Sequence, residues 1–118
     1  MTSSERDITS LLDILNSCKL IKDWTVGQER KEIFRNPLLS RAVIYEIAKI
    51  GEATRRITEG FKKQHTHIPW DEMKGMRNHL IHDYDDIIED NVWEVITIDI
   101  DALIVKIEPL VPPPNDYE

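Results

Sequence analysis

The chain has 118 residues, a formal net charge of −7 at pH 7, and a composition that is 41% hydrophobic and 31% charged. These values predict one globular domain with its own core and exclude a disordered chain. The single cysteine, Cys18, excludes a disulfide within the chain and fits a reducing cytoplasm. No apolar run approaches the roughly 20 residues of a membrane span, and residues 1–13 lack a signal-peptide pattern. We therefore expect a cytoplasmic protein with one domain over residues 1–111 and a proline-rich tail over residues 112–118.

The charge is unevenly distributed along the chain. Residues 1–82 contain 14 Lys and Arg against 11 Asp and Glu, whereas residues 83–118 contain only Lys106 against 11 acids. A net negative protein is a poor candidate for non-specific binding of DNA or membranes, because phosphate surfaces attract clustered cations. A nuclease with a local basic cleft is still compatible with this balance. The acidic last third could repel RNA, dock a basic partner, or simply be solvated.

Apolar residues recur at spacings of three and four, which predicts helices, and the alternation typical of strands is absent. The first helix is predicted over about Ser4–Trp24 and a short second one over Gln28–Phe34. Asn36 and Pro37 form a helix start signal, and the helix that follows is predicted to reach about Gln64. Gly51 lies inside this helix at a cost of about 1 kcal/mol relative to alanine, so we expect close packing there.

The second half of the chain predicts two further helices. His65 and His67 break the pattern in an exposed loop, and two histidines without a third ligand are weak evidence for a metal. A helix is predicted from Ile68-Pro69-Trp70 to about His82, then a polar joint over residues 83–86, and a last helix from about Ile87 to Leu110. The predicted architecture is an all-α, up-and-down four-helix bundle with a short extra helix.

The side chains suited to acid–base and phosphate chemistry crowd into residues 75–84. On a helix, Asn78 and His82 are four residues apart and lie on one face. Arg77 lies about 100° around the helix from Asn78. It converges with His82 only if its side chain reaches across or the helix loosens near its end.

This segment resembles the active motif of the HEPN superfamily, in which an arginine is followed directly by a polar residue and, a few residues later, by a histidine. Four residues separate Arg77 from His82, and Tyr84 follows two positions later, which is similar to the HepT toxin branch. Further segments sit where that family places them: Ile50-Gly51-Glu52-Ala53, Ile68-Pro69-Trp70, Gly75-Met76-Arg77-Asn78, Leu80-Ile81-His82 and Val92-Trp93.

The resemblance implies a metal-independent endoribonuclease toxin without a cofactor, acting on cellular RNA such as tRNA or mRNA. It implies a homodimer, with higher oligomers possible, in which the motif helices face each other across a cleft. It also implies an antitoxin of the minimal nucleotidyltransferase (MNT) type, which transfers AMP from ATP to Tyr84 and so silences the toxin. Added bulk and negative charge at Tyr84 would hinder a polyanion.

Each motif residue has a chemical role in RNA cleavage by the 2′-hydroxyl. His82 suits proton transfer because the ordinary pKa of histidine is about 6.5, and a two-fold dimer supplies both an acid and a base. Arg77 offers a planar fork of donors to phosphate oxygens. Asn78 either contacts phosphate or holds the tautomer of His82, and Tyr84 is suited to stacking on RNA or to modification. Additional RNA contacts are expected from Arg55, Arg56 and His79.

Other interpretations of these residues stay open at this stage. Arg77 could pair with a nearby carboxylate, and Arg55 and Arg56 could belong to a solvated helix face. His79 could support the fold or lie on the surface. The alternative function is a non-catalytic HEPN partner that presents substrate or nucleotide to a nucleotidyltransferase. A purely structural helical dimer leaves the polar string unexplained.

Overall fold

Several helices begin directly after a residue whose side chain caps them. In the computed structural model, which describes residues 2–82 and 86–113 apart from the side chain of His82, Thr2 caps the first helix and Asn36 caps the third. The helices are α1 (Ser3–Thr25), α2 (Arg30–Phe34), α3 (Pro37–Arg55), α4 (Glu59–Gln64), α5 (Trp70–Gly75), α6 (Glu89–Glu94) and α7 (Ile100–Ile107). The predicted all-α class is confirmed.

The core lies between α1, α3 and α7. Both α1 and α3 contribute buried stripes, and α7 packs across α1. The apolar side chains that are completely buried include Leu11, Ile14, Ile21, Val43, Ile47, Ile50 and Ile107. Burial of a side chain of this size contributes roughly 1.5–3 kcal/mol. None of the described helices is both long and apolar enough to cross a membrane.

The prediction of one helix from Pro37 to Gln64 is wrong, because α3 ends at Arg55 and α4 begins at Glu59. Buried Asp7 of α1 accepts hydrogen bonds from the backbone N–H of Thr58 at 2.8 Å and from its hydroxyl at 2.7 Å. The Thr58 hydroxyl also accepts from the N–H of Phe61, 3.3 Å away, and so caps α4. This tertiary contact restarts the helix at Thr58.

The predicted helix from Ile68 to His82 is also shorter than expected. The α-helix ends at Gly75 and tightens into a 3₁₀ turn over Met76–His79, which we call the motif turn. Strand β1 (Ile81–His82) follows and pairs antiparallel with β2 (Asp86–Ile87), with Ile81 opposite Ile87. Asn78 and His82 therefore do not share a helix face, and that prediction is wrong.

The last predicted helix begins two residues later than expected and changes type along its length. A π-helical turn over Val95–Asp99 joins α6 to α7, and a 3₁₀ turn over Glu108–Leu110 ends the stretch. The π turn inserts extra backbone and re-aims the side chains around it. It brings Val95 and Asp99 toward the motif turn.

Candidate functional site

The motif turn is held on the body of the protein by apolar anchors at its two ends. Met76 and Leu80 are buried, whereas Arg77, Asn78 and His79 between them are exposed. The backbone N–H of Leu80 donates to the carbonyl of Arg77 at 3.0 Å. The short turn thus presents three consecutive polar side chains outward from a fixed backbone.

Asn91 supplies a further anchor that sequence reasoning missed. Its side-chain amide donates to the carbonyl oxygen of His79 at 2.6 Å, and so ties the motif turn to α6. The carbonyls at the end of a helical turn need such partners. The available signal for this contact is the position of Asn91 in the first turn of α6, which faces the end of the motif turn.

Arg77 and Asn78 line a groove between α3 and the motif turn, which we call the motif groove. Its volume is about 380 Å³, and its lining also includes Ala48, Gly51, Glu52, Arg55 and Lys74. Three side chains of this lining, Arg55, Lys74 and Arg77, are cations. The one carboxylate of the lining, Glu52, lies 2.6 Å from a guanidinium nitrogen of Arg55. The remaining positive charge suits an anion such as a phosphodiester.

Close packing of α5 on α3 sets the position of this groove. Gly51 is buried, and a Cβ at this position would lie 3.3 Å from the backbone carbonyl oxygen of Lys74. Another nitrogen of the Arg55 guanidinium, Nη2, lies 3.5 Å from the same carbonyl oxygen. The close helix approach predicted at Gly51 is confirmed.

The structure separates the three additional residues expected to contact RNA. Arg55 lines the motif groove beside Arg77. Arg56 instead lies against α1, where its guanidinium is 3.2 Å from a carboxylate oxygen of Asp13. His79 lines a different groove of about 620 Å³ between the motif turn and the π turn, which we call the acidic groove. Of the three, Arg55 is the residue that lines the motif groove.

The acidic groove is unsuited to a polyanion. Its lining carries four carboxylates, those of Asp71, Glu72, Glu94 and Asp99, against one ammonium group, that of Lys106. The pKa of Asp99 is raised because the carboxyl is partly desolvated and faces Glu94 and Glu72. The excess of carboxylates beside His79 disfavours a polyanion in this groove, and RNA contact by His79 stays a prediction.

Two predicted site residues lie at or outside the limits of the described structure. The backbone of His82 forms β1, but its side chain is not among the described ones, and Tyr84 lies outside the described residues. Among the side chains that are described, no three His, Cys, Asp or Glu residues are grouped so that they could hold a metal ion.

Comparison with known proteins identifies the family. The family described as Ribonuclease HepT-like matches residues 14–110. A protein of Thermococcus cleftensis named probable ribonuclease HepT is 36% identical over 114 residues, covering 93% of this chain and 98% of its own length. A Methanocaldococcus jannaschii protein, named as a putative RNase, is 34% identical over 106 residues, covering 89% and 97%. No solved structure gives a significant match. The chain belongs to the ribonuclease HepT-like family.

Proposed function

We propose that this protein is a cytoplasmic, metal-independent endoribonuclease and the toxin of a toxin–antitoxin pair. The observation that carries the proposal is the motif groove, in which Arg77 and Asn78 lie side by side with Arg55 and Lys74. A cluster of cations around exposed hydrogen-bond donors is the arrangement that binds a phosphodiester. The names of the Thermococcus cleftensis and Methanocaldococcus jannaschii relatives support the same activity class.

In the proposed reaction the 2′-oxygen of a ribose attacks the adjacent phosphorus. His82 accepts the proton of the 2′-hydroxyl, and the guanidinium of Arg77 stabilises the negative charge that develops on the phosphoryl oxygens. The bond from phosphorus to the 5′-oxygen then breaks. The leaving 5′-oxygen takes up a proton from a second acid, so the products are a 2′,3′-cyclic phosphate and a 5′-hydroxyl. Asn78 binds phosphate or orients His82.

We further propose a homodimer in which two motif grooves face a common cleft. One chain provides one His82, so the second histidine of a dimer would serve as the acid that protonates the leaving 5′-oxygen. Higher oligomers are compatible with this arrangement if they are built from such dimers. The positive charge of each motif groove favours a cleft filled with water and RNA over direct contact between the two grooves, because cations in direct contact repel each other.

The proposed antitoxin is a minimal nucleotidyltransferase that modifies Tyr84. The phenolic oxygen of Tyr84 attacks the α-phosphorus of ATP and releases its proton to solvent, the bond to the β-phosphate breaks, and pyrophosphate leaves. The resulting AMP adds bulk and a negative charge at Tyr84, which would repel RNA. The proposal rests on the position of Tyr84 two residues after His82 in the sequence.

Induced expression in a bacterial host tests the toxin activity. We expect growth arrest and fragmented RNA with the intact chain, and neither with His82→Ala or Arg77→Ala at equal protein level. Lys63→Ala is the matched control, because it removes an exposed cation of α4 outside the groove. Equal growth and intact RNA for all four proteins, with Tyr84 unmodified by mass, would instead favour the non-catalytic partner of a nucleotidyltransferase.

A further inference from the structure

Tyr45 is an aromatic side chain on the outer surface of α3 that the proposed mechanism does not use. It is 65% exposed, although Val43, Ile44, Ile47 and Ile50 of the same helix are buried. An exposed aromatic ring gains little from the hydrophobic effect and is free to contact a partner. The ring lies in a shallow groove of about 200 Å³, the tyrosine groove, lined by Arg41, Ile44, Tyr45, Ala48, Arg77, Ile81 and Ile87.

The tyrosine groove adjoins the motif groove on the side away from Arg55. Arg77 and Ala48 line both grooves, so a chain bound at Arg77 can extend into either one. Along α3 the outer stripe runs through Arg41, Tyr45, Ala48, Glu52 and Arg55, at spacings of three and four that place these residues on one face. From Arg41 to Arg55 the stripe measures about 21 Å at 1.5 Å per residue.

Among the described residues, the charged side chains that line the tyrosine groove or lie over the ring are cations. Lys49 places its ammonium nitrogen 5.7 Å from the centroid of the Tyr45 ring, and Arg41 and Arg77 line the same groove. The carboxylate nearest to Lys49 is Glu46, at 3.3 Å, and it is itself buried and hydrogen-bonded to Ser17. An aromatic platform among cations is the arrangement that binds single-stranded nucleic acid, because bases stack on the ring while the cations follow the phosphates.

We propose that Tyr45 stacks a base of single-stranded RNA next to the phosphate held by Arg77, and that Arg41 and Lys49 hold the flanking backbone. The proposal rests on the ribonuclease activity proposed above and names its substrate class as unpaired RNA. A second copy of the chain suits this patch less well. A two-fold contact sets the same patch against itself, so the cations would meet each other.

The experiment compares two fluorescent ten-nucleotide probes made of 2′-O-methyl RNA, which lacks the attacking hydroxyl and so is not cleaved. One probe carries all bases, and the other has abasic sugars at its four central positions. We expect the wild-type protein to bind the first about tenfold more tightly, since a stacked base accounts for a difference of this order. Tyr45→Ala abolishes the difference, whereas Tyr45→Phe keeps it.

The control variants separate stacking from general attraction. Arg41→Ala weakens binding of both probes equally, and Lys63→Ala leaves both unchanged. Circular dichroism verifies folding, which the exposed position of Tyr45 should preserve. If wild type and Tyr45→Ala show the same base dependence, the proposal is overturned. The same holds if Tyr45→Ala changes only the sedimenting mass, because Tyr45 then belongs to a protein interface.

Cleavage of unmodified RNA in parallel distinguishes this proposal from the ribonuclease activity on which it rests. If wild type cleaves unmodified RNA but binds the two probes equally, stacking by Tyr45 is excluded and the proposed ribonuclease activity stands. If wild type binds the probe with all bases more tightly, Tyr45→Ala abolishes that difference and no RNA is cleaved, the ribonuclease activity is excluded and Tyr45 is still a stacking platform.

Discussion

Gly51 of α3 packs against the backbone carbonyl of Lys74 in α5, at a distance that leaves no room for an ordinary Cβ contact. The Cβ of an alanine here would lie 3.3 Å from the carbonyl oxygen, and backbone atoms cannot rotate away as a flexible side chain does. Lys74 precedes the motif turn by two residues. The fit at Gly51 therefore sets where Arg77 and Asn78 stand relative to α3.

Gly51→Ala should displace α5 and the motif turn. We expect the steric cost to exceed the roughly 1 kcal/mol that alanine gains over glycine in a helix, and the rate of RNA cleavage to fall severalfold. Gly60→Ala is the matched control, because a Cβ at Gly60 in α4 has nothing within 4 Å. Urea unfolding should show Gly60→Ala stabilised by about 0.5–1 kcal/mol. Equal stabilisation by Gly51→Ala would contradict the tight fit.

Asn91→Ala removes the side-chain hydrogen bond to the carbonyl of His79 that holds the motif turn. Such a bond contributes about 0.5–1.5 kcal/mol, so the protein should stay folded while cleavage slows. Asn91→Asp should slow it as well, because a carboxylate cannot donate to a carbonyl. Glu89→Ala, at an exposed position of the same helical turn, serves as the control. Unchanged initial rates in both Asn91 variants would exclude a positioning role.

Asp99→Asn should stabilise the protein at pH 7, by up to about 1 kcal/mol for a partly exposed group. The pKa of Asp99 is raised in the folded state, first by desolvation and then by Glu94 and Glu72. Loss of its proton therefore favours the unfolded chain. The gain from asparagine should shrink as the pH falls through the raised pKa. It should vanish below the ordinary value of 3.8, where folded and unfolded carboxyls are both protonated. Urea titrations from pH 3 to 8 test this, and a gain independent of pH would contradict it.

Cys18 should be inert in the folded protein. Burial raises the pKa of its thiol to about 12, so almost no thiolate exists at pH 8. A thiol reagent should react with the native chain only through unfolding, and rapidly in 6 M guanidinium chloride. Stoichiometric labelling of the native protein within minutes would show that Cys18 is accessible.

The sequence was sufficient for the parts of the fold that local signals determine. The start signal at Asn36-Pro37 and the apolar stripe of α1 specify a helix start and a buried face without reference to the rest of the chain. The break after α3 was missed because it depends on Asp7, 51 residues before Thr58. No local pattern reports a contact at that separation, and the apolar period continues through the break.

The residues of the candidate site could be predicted from the sequence, but the surface that they form together could not. Arg77 and Asn78 follow from the motif, but their groove depends on α3, and Arg56 lies too far around that helix to join it. The expected helical face failed because the motif turn has three residues per turn and is followed by a strand. Tyr45 carries no motif and gains its place only from the folded neighbourhood of Arg77.

Cleavage of a short single-stranded RNA by the purified protein, in the presence of EDTA, tests attack by the 2′-hydroxyl without a metal. We expect fragments that end in 2′,3′-cyclic phosphate, in the same amount with and without EDTA. We expect no fragments from the same sequence in 2′-O-methyl RNA, and none with His82→Ala. Loss of cleavage in EDTA, or cleavage of the 2′-O-methyl strand, would contradict attack by the 2′-hydroxyl without a metal.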